Sequence, residues 1–167
     1  MAASRAQAAP MSTPVSSAPV VTSRATLDDL DALTLLFDGY RVFYKRASDR
    51  ALARAFLEAR LQRGESVIFI ARDAAGEALG FTQLYPFFSS VSAHRIWVLN
   101  DLFVVPAARH GGVACRLMEC ARAFALETGA LRLVLETAED NHPAQALYES
   151  LGYVRESGTR HYSLELG

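Results

Sequence analysis

The sequence predicts one α/β domain, built on a mixed, mostly antiparallel sheet of about six or seven strands that is flanked by helices. Short apolar runs that suit strands alternate with segments in which apolar residues recur every three or four positions, the spacing of a helix face. A turn at 73–76 lies between two such runs and predicts a hairpin. With 167 residues, 51% of them hydrophobic, the chain can bury one sizeable core.

Residues 1–18 are expected to form a disordered extension in front of a folded domain at 19–167. The extension is rich in Ala, Ser and Pro, and it contains neither an acidic residue nor an apolar run long enough for a secretory signal. The same composition suits an organelle transit peptide. A disordered extension, or a start of translation at Met11, is the simpler interpretation.

Charge and cysteine usage exclude several classes of partner. The 17 basic and 18 acidic residues give no electrostatic footprint for nucleic acid or an anionic membrane. No stretch approaches the roughly 20 apolar residues of a membrane span. Cys115 and Cys120 fall on different faces of one predicted helix, so we expect neither a disulfide nor a metal site there. This cysteine usage favours a reduced, cytoplasmic protein.

The first half of the chain is predicted to contain a strand, two helices and a hairpin. Thr26 and the two aspartates after Leu27 are typical of a helix N-terminus. The predicted elements are a strand at 20–24, helices at 26–44 and 49–62, strands at 66–71 and 77–85, and an aromatic loop at 86–93.

The second half is predicted to alternate strands and helices and to end in a second hairpin. The mostly apolar run at 96–105 predicts a central strand that is buried on both faces. The remaining predicted elements are a helix at 112–127, a strand at 131–136, a helix at 143–151, and short strands at 153–156 and 160–166.

The stretch from Val104 to Met118 is the most informative part of the chain. Its strand ends near Pro106, and a short basic loop with two glycines leads into a helix. Such a junction presents free backbone N–H groups at the positive end of the helix, and this geometry favours phosphate. Neither G-x-x-x-x-G-K-[ST] nor G-x-G-x-x-G occurs, which disfavours a P-loop or Rossmann nucleotide site.

Two motifs in this half resemble those of one family. Arg109-His110-Gly111-Gly112-Val113-Ala114 resembles the R/Q-x-x-G-x-G/A signature of the GNAT superfamily of N-acetyltransferases. Residues 141–153 are similar to the N-x-x-A-x-x-L-Y-x-x-x-G-[FY] segment of the same family. Residues 99–104, together with Pro106, are similar to the strand that precedes the family's signature. Residues 99–104 also look like the polyamine- and amino-acid-acetylating branch. The resemblance covers roughly residues 20–166.

The resemblance implies acetyl-CoA as co-substrate and a set of residues that bind it. Backbone groups freed at a bulge near Leu102, Phe103 and Val104 would hold the acetyl-pantetheine arm. The N–H groups from Arg109 through His110, Gly111, Gly112 and Val113 to Ala114 would hold the pyrophosphate, and the Arg109 side chain would add charge. Asn141 would contact the arm. It could equally cap the N-terminus of the helix that begins at Pro143, and the two roles are compatible.

Two residues are candidates for the catalytic proton transfers. Tyr148, whose unperturbed phenol pKa of about 10 leaves it protonated, would be the general acid for the departing thiolate; its alternative role is that of a core aromatic. Asp101 would be the general base, because burial on the central strand would raise the pKa of its carboxyl group. The family often has Glu where Asn100 stands here, and His94 and His161 are alternative bases.

These residues predict an N-acetyltransferase that moves an acetyl group from acetyl-CoA to a primary amine, expected to belong to a small molecule. The amine would attack directly in a ternary complex, and we expect a homodimer. Two alternatives stay open: a non-catalytic acyl-CoA-binding regulatory domain, and an acetyltransferase acting on a protein amine. The acceptor pocket would be lined by Tyr40, Phe43, Tyr44 and the loop at 85–88.

Overall fold

The computed structural model describes residues 19–158, 160 and 162–166; the predicted extension at 1–18 lies outside them. One sheet of five strands runs in the order β1-β2-β3-β4-β5, with β1 to β4 antiparallel and β5 parallel to β4. This confirms a mixed, mostly antiparallel α/β fold. The strands are β1 (Val21–Arg24), β2 (Val67–Arg72), β3 (Ala78–Ser89), β4 (His94–Val104) and β5 (Leu133–Val134). The helices are α1 (Leu30–Phe43), α2 (Arg50–Arg63), α3 (Val113–Glu127) and α4 (His142–Ser150).

The helices cover both faces of the sheet. Successive residues of β2 point to opposite faces, so Ile68 and Ile70 pack beneath α1 and α2 whereas Phe69 packs beneath α3. The core under α1 and α2 is centred on Leu33, Phe37, Leu57, Phe81 and Phe103. The core under α3, to which α4 adds partly buried residues, is centred on Leu84, Trp97, Leu99, Leu117 and Met118.

Side-chain caps organise the connection from β1 to α2, and the one at Thr26 confirms the predicted helix N-terminus. Thr26 and Asp29 form a capping box around a short 3₁₀ turn that leads into α1. The Asp49 side chain caps α2, and Gly64 ends it with a φ of +64°. Asp38, buried in α1, accepts hydrogen bonds from the Ser48 hydroxyl at 2.7 Å and from the backbone N–H of Asp49 at 2.8 Å. These two bonds fix the C-terminal half of α1 to the loop before α2.

The predicted loop at 86–93 is wrong. β3 continues to Ser89, and Pro86 lies opposite Trp97 in β4, so the turn is confined to 90–93. Pairing of β2 with β3 ends at Leu84, which leaves the rest of β3 with β4 as its strand neighbour. Proline is tolerated at such an edge position, where it interrupts no second ladder.

The prediction of six or seven strands is also wrong. Residues 153–156 form no strand, nor do the described residues of 160–166, and the strand expected at 131–136 is reduced to two residues. Because β5 has only two residues, it offers few backbone hydrogen-bonding groups to a further strand. The C-terminal segment with alternating apolar residues therefore has no long strand to pair with. Accordingly, Val154, Tyr162, Leu164 and Leu166 are exposed.

Gly80 allows β3 and β4 to approach closely near the end of β4. A Cβ atom at this position would lie 2.4 Å from the carbonyl oxygen of Phe103, a distance no side chain can occupy. Gly80 lies opposite Val104, the last residue of β4. The close pairing therefore positions the loop that leads from β4 into α3.

Candidate active site

A β-bulge interrupts the pairing of β3 with β4. Gln83 lies opposite Asp101 and Leu84 lies opposite Leu99, so Asn100 between them has no partner in β3. An extra residue in one strand bends that strand and releases backbone groups from the ladder. The bulge thus marks the middle of the sheet as the place where a ligand can contact backbone.

A cleft of about 720 Å³ opens beside the bulge. β5 pairs with β4 at Trp97 and Val98; among the described residues, no strand lies along β4 on this side from Leu99 onward. Backbone groups of β4 that point to this side are therefore available to an extended ligand. Residues that line the cleft include Val98, Asn100, Leu133, Thr137, Gln145 and Tyr148.

The loop between β4 and α3 presents backbone N–H groups at an exposed helix N-terminus. Gly112 precedes α3 with a φ of +78°, and His110 also has a positive φ of +64°. Arg116 donates its N–H to the carbonyl of Gly112 at 3.1 Å. The N–H groups of the first helical residues have no carbonyl earlier in the helix to bind. Since residues 109–112 are exposed, this positive end of α3 is open to an anion.

The Arg109 side chain ties this loop to the rest of the fold. Its Nε donates to the carbonyl oxygen of Val104 at 3.2 Å, and its guanidinium carbon lies 5.5 Å from the centre of the Phe43 ring. The guanidinium brings further N–H donors beside the loop. Arg109 therefore has a structural role in addition to the phosphate contact that the resemblance implies.

The side chains of Leu102, Phe103 and Val104 belong to the two cores. Phe103 packs under α1, whereas Leu102 and Val104 pack on the α3 side. Only their backbone groups remain for contact with a co-substrate. The bulge expected among these three residues lies at Asn100 instead, because the position of an extra residue is set by the register with β3.

Asp101 is buried directly after the bulge, with 3% of its surface exposed. Its Oδ2 accepts a hydrogen bond from Nε2 of Gln83 at 2.7 Å, and its Oδ1 accepts one from Nδ2 of Asn100 at 3.1 Å. The Tyr40 hydroxyl hydrogen-bonds to the same carboxylate. Burial raises the pKa of Asp101, and these three bonds oppose that rise. The expected burial and raised pKa are confirmed, whereas the role of general base stays a prediction.

The polar network continues from Asp101 into β3 and to Ser66, the residue before β2. Oε1 of Gln83 accepts a hydrogen bond from the Ser66 hydroxyl at 2.9 Å, and the Gln83 side chain also hydrogen-bonds to the Tyr85 hydroxyl. Burial, followed by the charge of Asp101, raises the pKa of Tyr85 to about 12. The same two causes raise the pKa of Tyr40 further. Both phenols therefore stay protonated at neutral pH.

Tyr148 places its ring in the core and its hydroxyl at the cleft. The ring centre lies 6.1 Å from that of Tyr153, and the residue packs against the core under α3. The hydroxyl hydrogen-bonds to the Thr137 side chain, and burial raises the pKa of Tyr148, which keeps the phenol protonated. Tyr148 can therefore be a core aromatic and also present its hydroxyl to the cleft.

Thr137 joins Tyr148 to Asn141. Its Oγ1 accepts a hydrogen bond from Nδ2 of Asn141 at 3.2 Å. Asn141 occupies the N-cap position of α4, but its side chain makes no capping hydrogen bond. Thr137 was not predicted, because a single threonine in a loop carries no pattern beyond its position four residues before Asn141.

The aromatic residues expected around an acceptor divide into two groups. Tyr40 on α1 and Tyr44, the residue after α1, pack edge to face with ring centres 5.0 Å apart. Tyr44 contributes to the raised pKa of Tyr148, so this end of α1 lies near the cleft. Phe87 and Phe88 lie on the outer part of β3 and are more than half exposed. Phe88 contacts Arg95, whose guanidinium carbon is 4.8 Å from the ring centre.

Other predicted features give no competing site in the described part of the chain. His94 is exposed at the start of β4, where its Nδ1 contacts the carbonyl of Ser92, and His161 lies outside the described residues. No group of three His, Cys, Asp or Glu side chains among the described residues is arranged to hold a metal ion. None of the helices described is long and apolar enough to cross a membrane.

The bulged central strand, the cleft beside the bulge and the open helix N-terminus agree with the class of acyl-group transferases that the sequence motifs resemble. The acetyltransferase (GNAT) family matches residues 31–153. The chain therefore belongs to the GNAT family of acetyltransferases.

Individual relatives agree with this assignment. "Uncharacterized N-acetyltransferase YhfO" of Bacillus subtilis is 50% identical over 143 residues, which cover 86% of this chain and 95% of the relative. A crystal structure of a "probable acetyltransferase" superimposes with a TM-score of 0.82 at 43% identity and covers 89% of this chain and 98% of that one. The aminoglycoside N-acetyltransferase AAC(6′)-Iy, solved in complex with CoA, shares the fold with a TM-score of 0.75 at 20% identity, and the match covers 91% and 98% of the two chains.

Proposed function

We propose that the protein transfers an acetyl group from acetyl-CoA to the primary amine of a small molecule, by direct attack in a ternary complex. The observation that most supports this proposal is the arrangement around one cleft. A bulge followed by the buried carboxylate of Asp101 lies on the β4 side, and the protonated hydroxyl of Tyr148 lies on the α4 side. The carboxylate can accept a proton and the phenol can donate one, as a general base and a general acid must.

The residues present fit acetyl-CoA, which would supply the acetyl group as a thioester. The N–H groups from His110 to Ala114, which begin in the exposed loop at 109–112, suit the pyrophosphate, with the charge of Arg109 beside them. The backbone of β4 near Leu102 to Val104, which lacks a strand neighbour on the cleft side, suits the extended pantetheine arm. Asn141, fixed by Thr137, would contact that arm. The CoA complex of the aminoglycoside N-acetyltransferase supports the same use of this fold.

Asp101 would act as the general base. An amine must lose a proton to form an amide, and a carboxylate with a raised pKa is a better acceptor of that proton than an ordinary surface aspartate. Asn100, which replaces the glutamate often found in the family, leaves Asp101 as the carboxylate nearest the bulge along β4.

Tyr148 would act as the general acid. The leaving thiolate of CoA needs a proton, and a phenol with a raised pKa arrives at the reaction in its protonated form. The hydrogen bond to Thr137 orients the hydroxyl at the wall of the cleft.

The acceptor is proposed to be a small amine on the basis of charge and motif. With a net charge of −1 the chain has no acidic tract that would follow a lysine-rich peptide. Residues 99–104 also resemble the polyamine- and amino-acid-acetylating branch. The alternative of a non-catalytic acyl-CoA-binding domain is disfavoured because Asp101 and Tyr148 both have the environments that catalysis requires.

A panel of acceptors tests this function. CoA release from acetyl-CoA is followed with polyamines, diamines, amino acids, aminoglycosides and histone-like peptides. We expect turnover with at least one class of small amine. Turnover of peptides alone would favour the protein-amine alternative. Binding of acetyl-CoA with every amine inert would favour the regulatory domain.

The expected homodimer and cytoplasmic location stay predictions. Sedimentation velocity at micromolar protein concentration tests the first, and a dimer is the expected species. Fractionation of the source cells tests the second.

A further inference from the structure

We propose that the Tyr40 hydroxyl passes the proton of the attacking amine to the Asp101 carboxylate. This inference rests on the function proposed above and names a further residue in its chemistry. It starts from a geometric difficulty: Asp101 is 3% exposed and is surrounded by donors, so a substrate amine has little direct access to its oxygens.

The three side chains that hydrogen-bond to Asp101 differ in what they can do with a proton. Gln83 and Asn100 donate through amide groups, which cannot give up one proton while taking another at neutral pH. The Tyr40 hydroxyl can donate its proton to the carboxylate and accept another at the same oxygen. Among the side chains bonded to Asp101, Tyr40 is therefore the one able to act as a relay.

Tyr40 interacts both with the buried carboxylate of Asp101 and with Tyr148, which lines the cleft. It is half-buried on α1, close enough to Asp101 for a hydrogen bond and close enough to Tyr148 for the two hydroxyls to interact electrostatically. By contrast, the side chains that affect the pKa of Tyr148 are Tyr44 and Thr137. The position of Tyr40 thus links the proposed base to the wall where the leaving group would be protonated.

Packing fixes the orientation of Tyr40. Its ring centre lies 6.1 Å from that of Phe81, 6.4 Å from that of Phe103 and 5.0 Å from that of Tyr44, all edge to face. The α1 backbone that carries it is held through Asp38 to the loop before α2. A relay needs such fixed donor and acceptor geometry, because proton transfer falls off steeply with misalignment.

The proton balance of the step is simple. As the C–N bond forms, one N–H bond of the attacking amine breaks and a new O–H bond forms at Tyr40. The original O–H bond of Tyr40 breaks, and an O–H bond forms at Asp101. Tyr40 ends as a neutral phenol and Asp101 as a carboxylic acid. After product release the proton returns to water along the same path.

Asp101 is the group expected to titrate in this relay. The groups around it are Tyr40 on α1, Gln83 and Tyr85 on β3 and Asn100 on β4. Both tyrosines have raised pKa values, and the two amides do not titrate. A pH dependence between about pH 5 and 9 that reports this network therefore belongs to Asp101 or to the bound amine.

The first test compares Tyr40→Phe with Tyr40→Phe/Asp101→Asn. Phenylalanine keeps the ring contacts and removes the relay atom, so we expect kcat to fall by about 10²-fold with acetyl-CoA affinity unchanged. In a shared relay, the double variant is no slower than the slower single variant. Tyr162→Phe, which removes a hydroxyl from an exposed residue, is the matched control and should keep wild-type kcat. Multiplying effects in the double variant, or wild-type kcat in Tyr40→Phe, would overturn the relay.

The second test reads the hydrogen bond without turnover. In protein labelled with ¹³C at the aspartate carboxyl carbon, NMR follows the titration of Asp101, assigned with Asp101→Asn. Loss of the Tyr40 hydroxyl should raise the pKa of Asp101, because that bond favours the carboxylate. An unchanged titration contradicts the inference. If Tyr40→Phe does not fold, Tyr40→Met repeats both tests without the hydroxyl.

The outcomes separate this inference from the function on which it rests. If the wild-type protein turns over no amine, the proposed function fails even where the NMR titration responds to Tyr40. If the wild-type protein turns over an amine and Tyr40→Phe does so equally well, the relay alone fails.

Discussion

At the scale of single residues, the site contains one charged group whose environment is unfavourable. Asp101 lies in the sheet with amide and hydroxyl donors around it but without a cationic partner among its hydrogen bonds. Burial dominates and raises the pKa of its carboxyl group. Because the pKa of Asp101 is higher in the folded than in the unfolded protein, its contribution to stability is greatest below about pH 4, where the carboxyl group is protonated in both forms. That contribution is lost as pH rises through the folded-state pKa.

Asp101→Asn should therefore change activity and the pH dependence of stability together. We expect the rate of CoA release to fall by about 10²- to 10⁴-fold, the scale of a lost general base. The free energy of unfolding of the variant, relative to wild type, should increase as pH rises from about 4 to 8, because only the wild type has a buried group to ionise. Urea titrations across this range measure it. If the difference in unfolding free energy between variant and wild type does not change with pH, the pKa of Asp101 is not raised in the folded protein.

Tyr148→Phe isolates the proposed acid from its packing role. The ring remains against Tyr153, so folding should be retained, whereas the hydroxyl held by Thr137 is lost. We expect kcat to fall by about 10²- to 10⁴-fold with a nearly unchanged KM for acetyl-CoA. Thr137→Val, which keeps Tyr148 but removes the bond that orients it, should produce a smaller loss. A near-normal kcat in Tyr148→Phe would restrict Tyr148 to the core.

At the scale of elements, the N-terminus of α3 combines an open dipole end with a backbone conformation that favours glycine. Gly112 has a φ of +78°, and a Cβ atom there would meet no other atom within 4 Å. The position is therefore accessible to a ligand, and a side chain added there would extend into the space where the proposed phosphate lies.

Gly112→Glu should abolish acetyl-CoA binding while the protein stays folded. The glutamate adds bulk and negative charge at the proposed pyrophosphate position. Gly76→Glu is the matched control, because Gly76 also has a positive φ, +87°, and open space around it, but it lies in the turn between β2 and β3. Both variants should lose comparable stability, whereas calorimetric titration should show lost binding in the first alone. Equal acetyl-CoA affinity in the two variants would place the phosphate site elsewhere.

At the scale of the whole molecule, the cleft lies where parallel pairing between β4 and β5 stops, so a bound co-substrate would bridge parts of the fold that the sheet does not join. β5, α4 and the loop between them contact the rest through the core under α3. Ligand binding to the native state alone stabilises it by mass action.

Acetyl-CoA should consequently raise the stability of the entire domain. At about 100 times its dissociation constant, the expected gain is about 2.7 kcal/mol. Thermal melts with acetyl-CoA, and with the adenine nucleotide alone as a control for phosphate contacts, measure it. A melting temperature that does not move at saturating acetyl-CoA would contradict the proposed binding site.

The sequence predicted those features that depend on neighbouring residues. The helix N-terminus at Thr26 and the apolar periodicity of the helices are local, and the structure has all four predicted helices. The bulge at Asn100 and the extension of β3 through Pro86 depend on strand pairing, which no local pattern contains.

The same division holds in the site. The α3 N-terminus and Tyr148 lie within motifs and were predicted. By contrast, Thr137 acts through hydrogen bonds to Asn141 and Tyr148, and the bond from Tyr40 to Asp101 joins residues sixty-one positions apart (101 minus 40). Contacts of this kind exist only after the sheet and its helices have assembled, so spacing along the chain gave no signal for them.

The central claim is that a primary amine attacks acetyl-CoA directly, and the stoichiometry of the reaction tests it most directly. Wild-type protein is incubated with acetyl-CoA, with and without the preferred small amine, and mass spectrometry follows CoA, acetylated amine and intact protein. We predict CoA and acetylated amine in equal amounts, formed only when the amine is present, with unmodified protein throughout. CoA release without an amine, or an acetyl group that accumulates on the protein, would contradict the account.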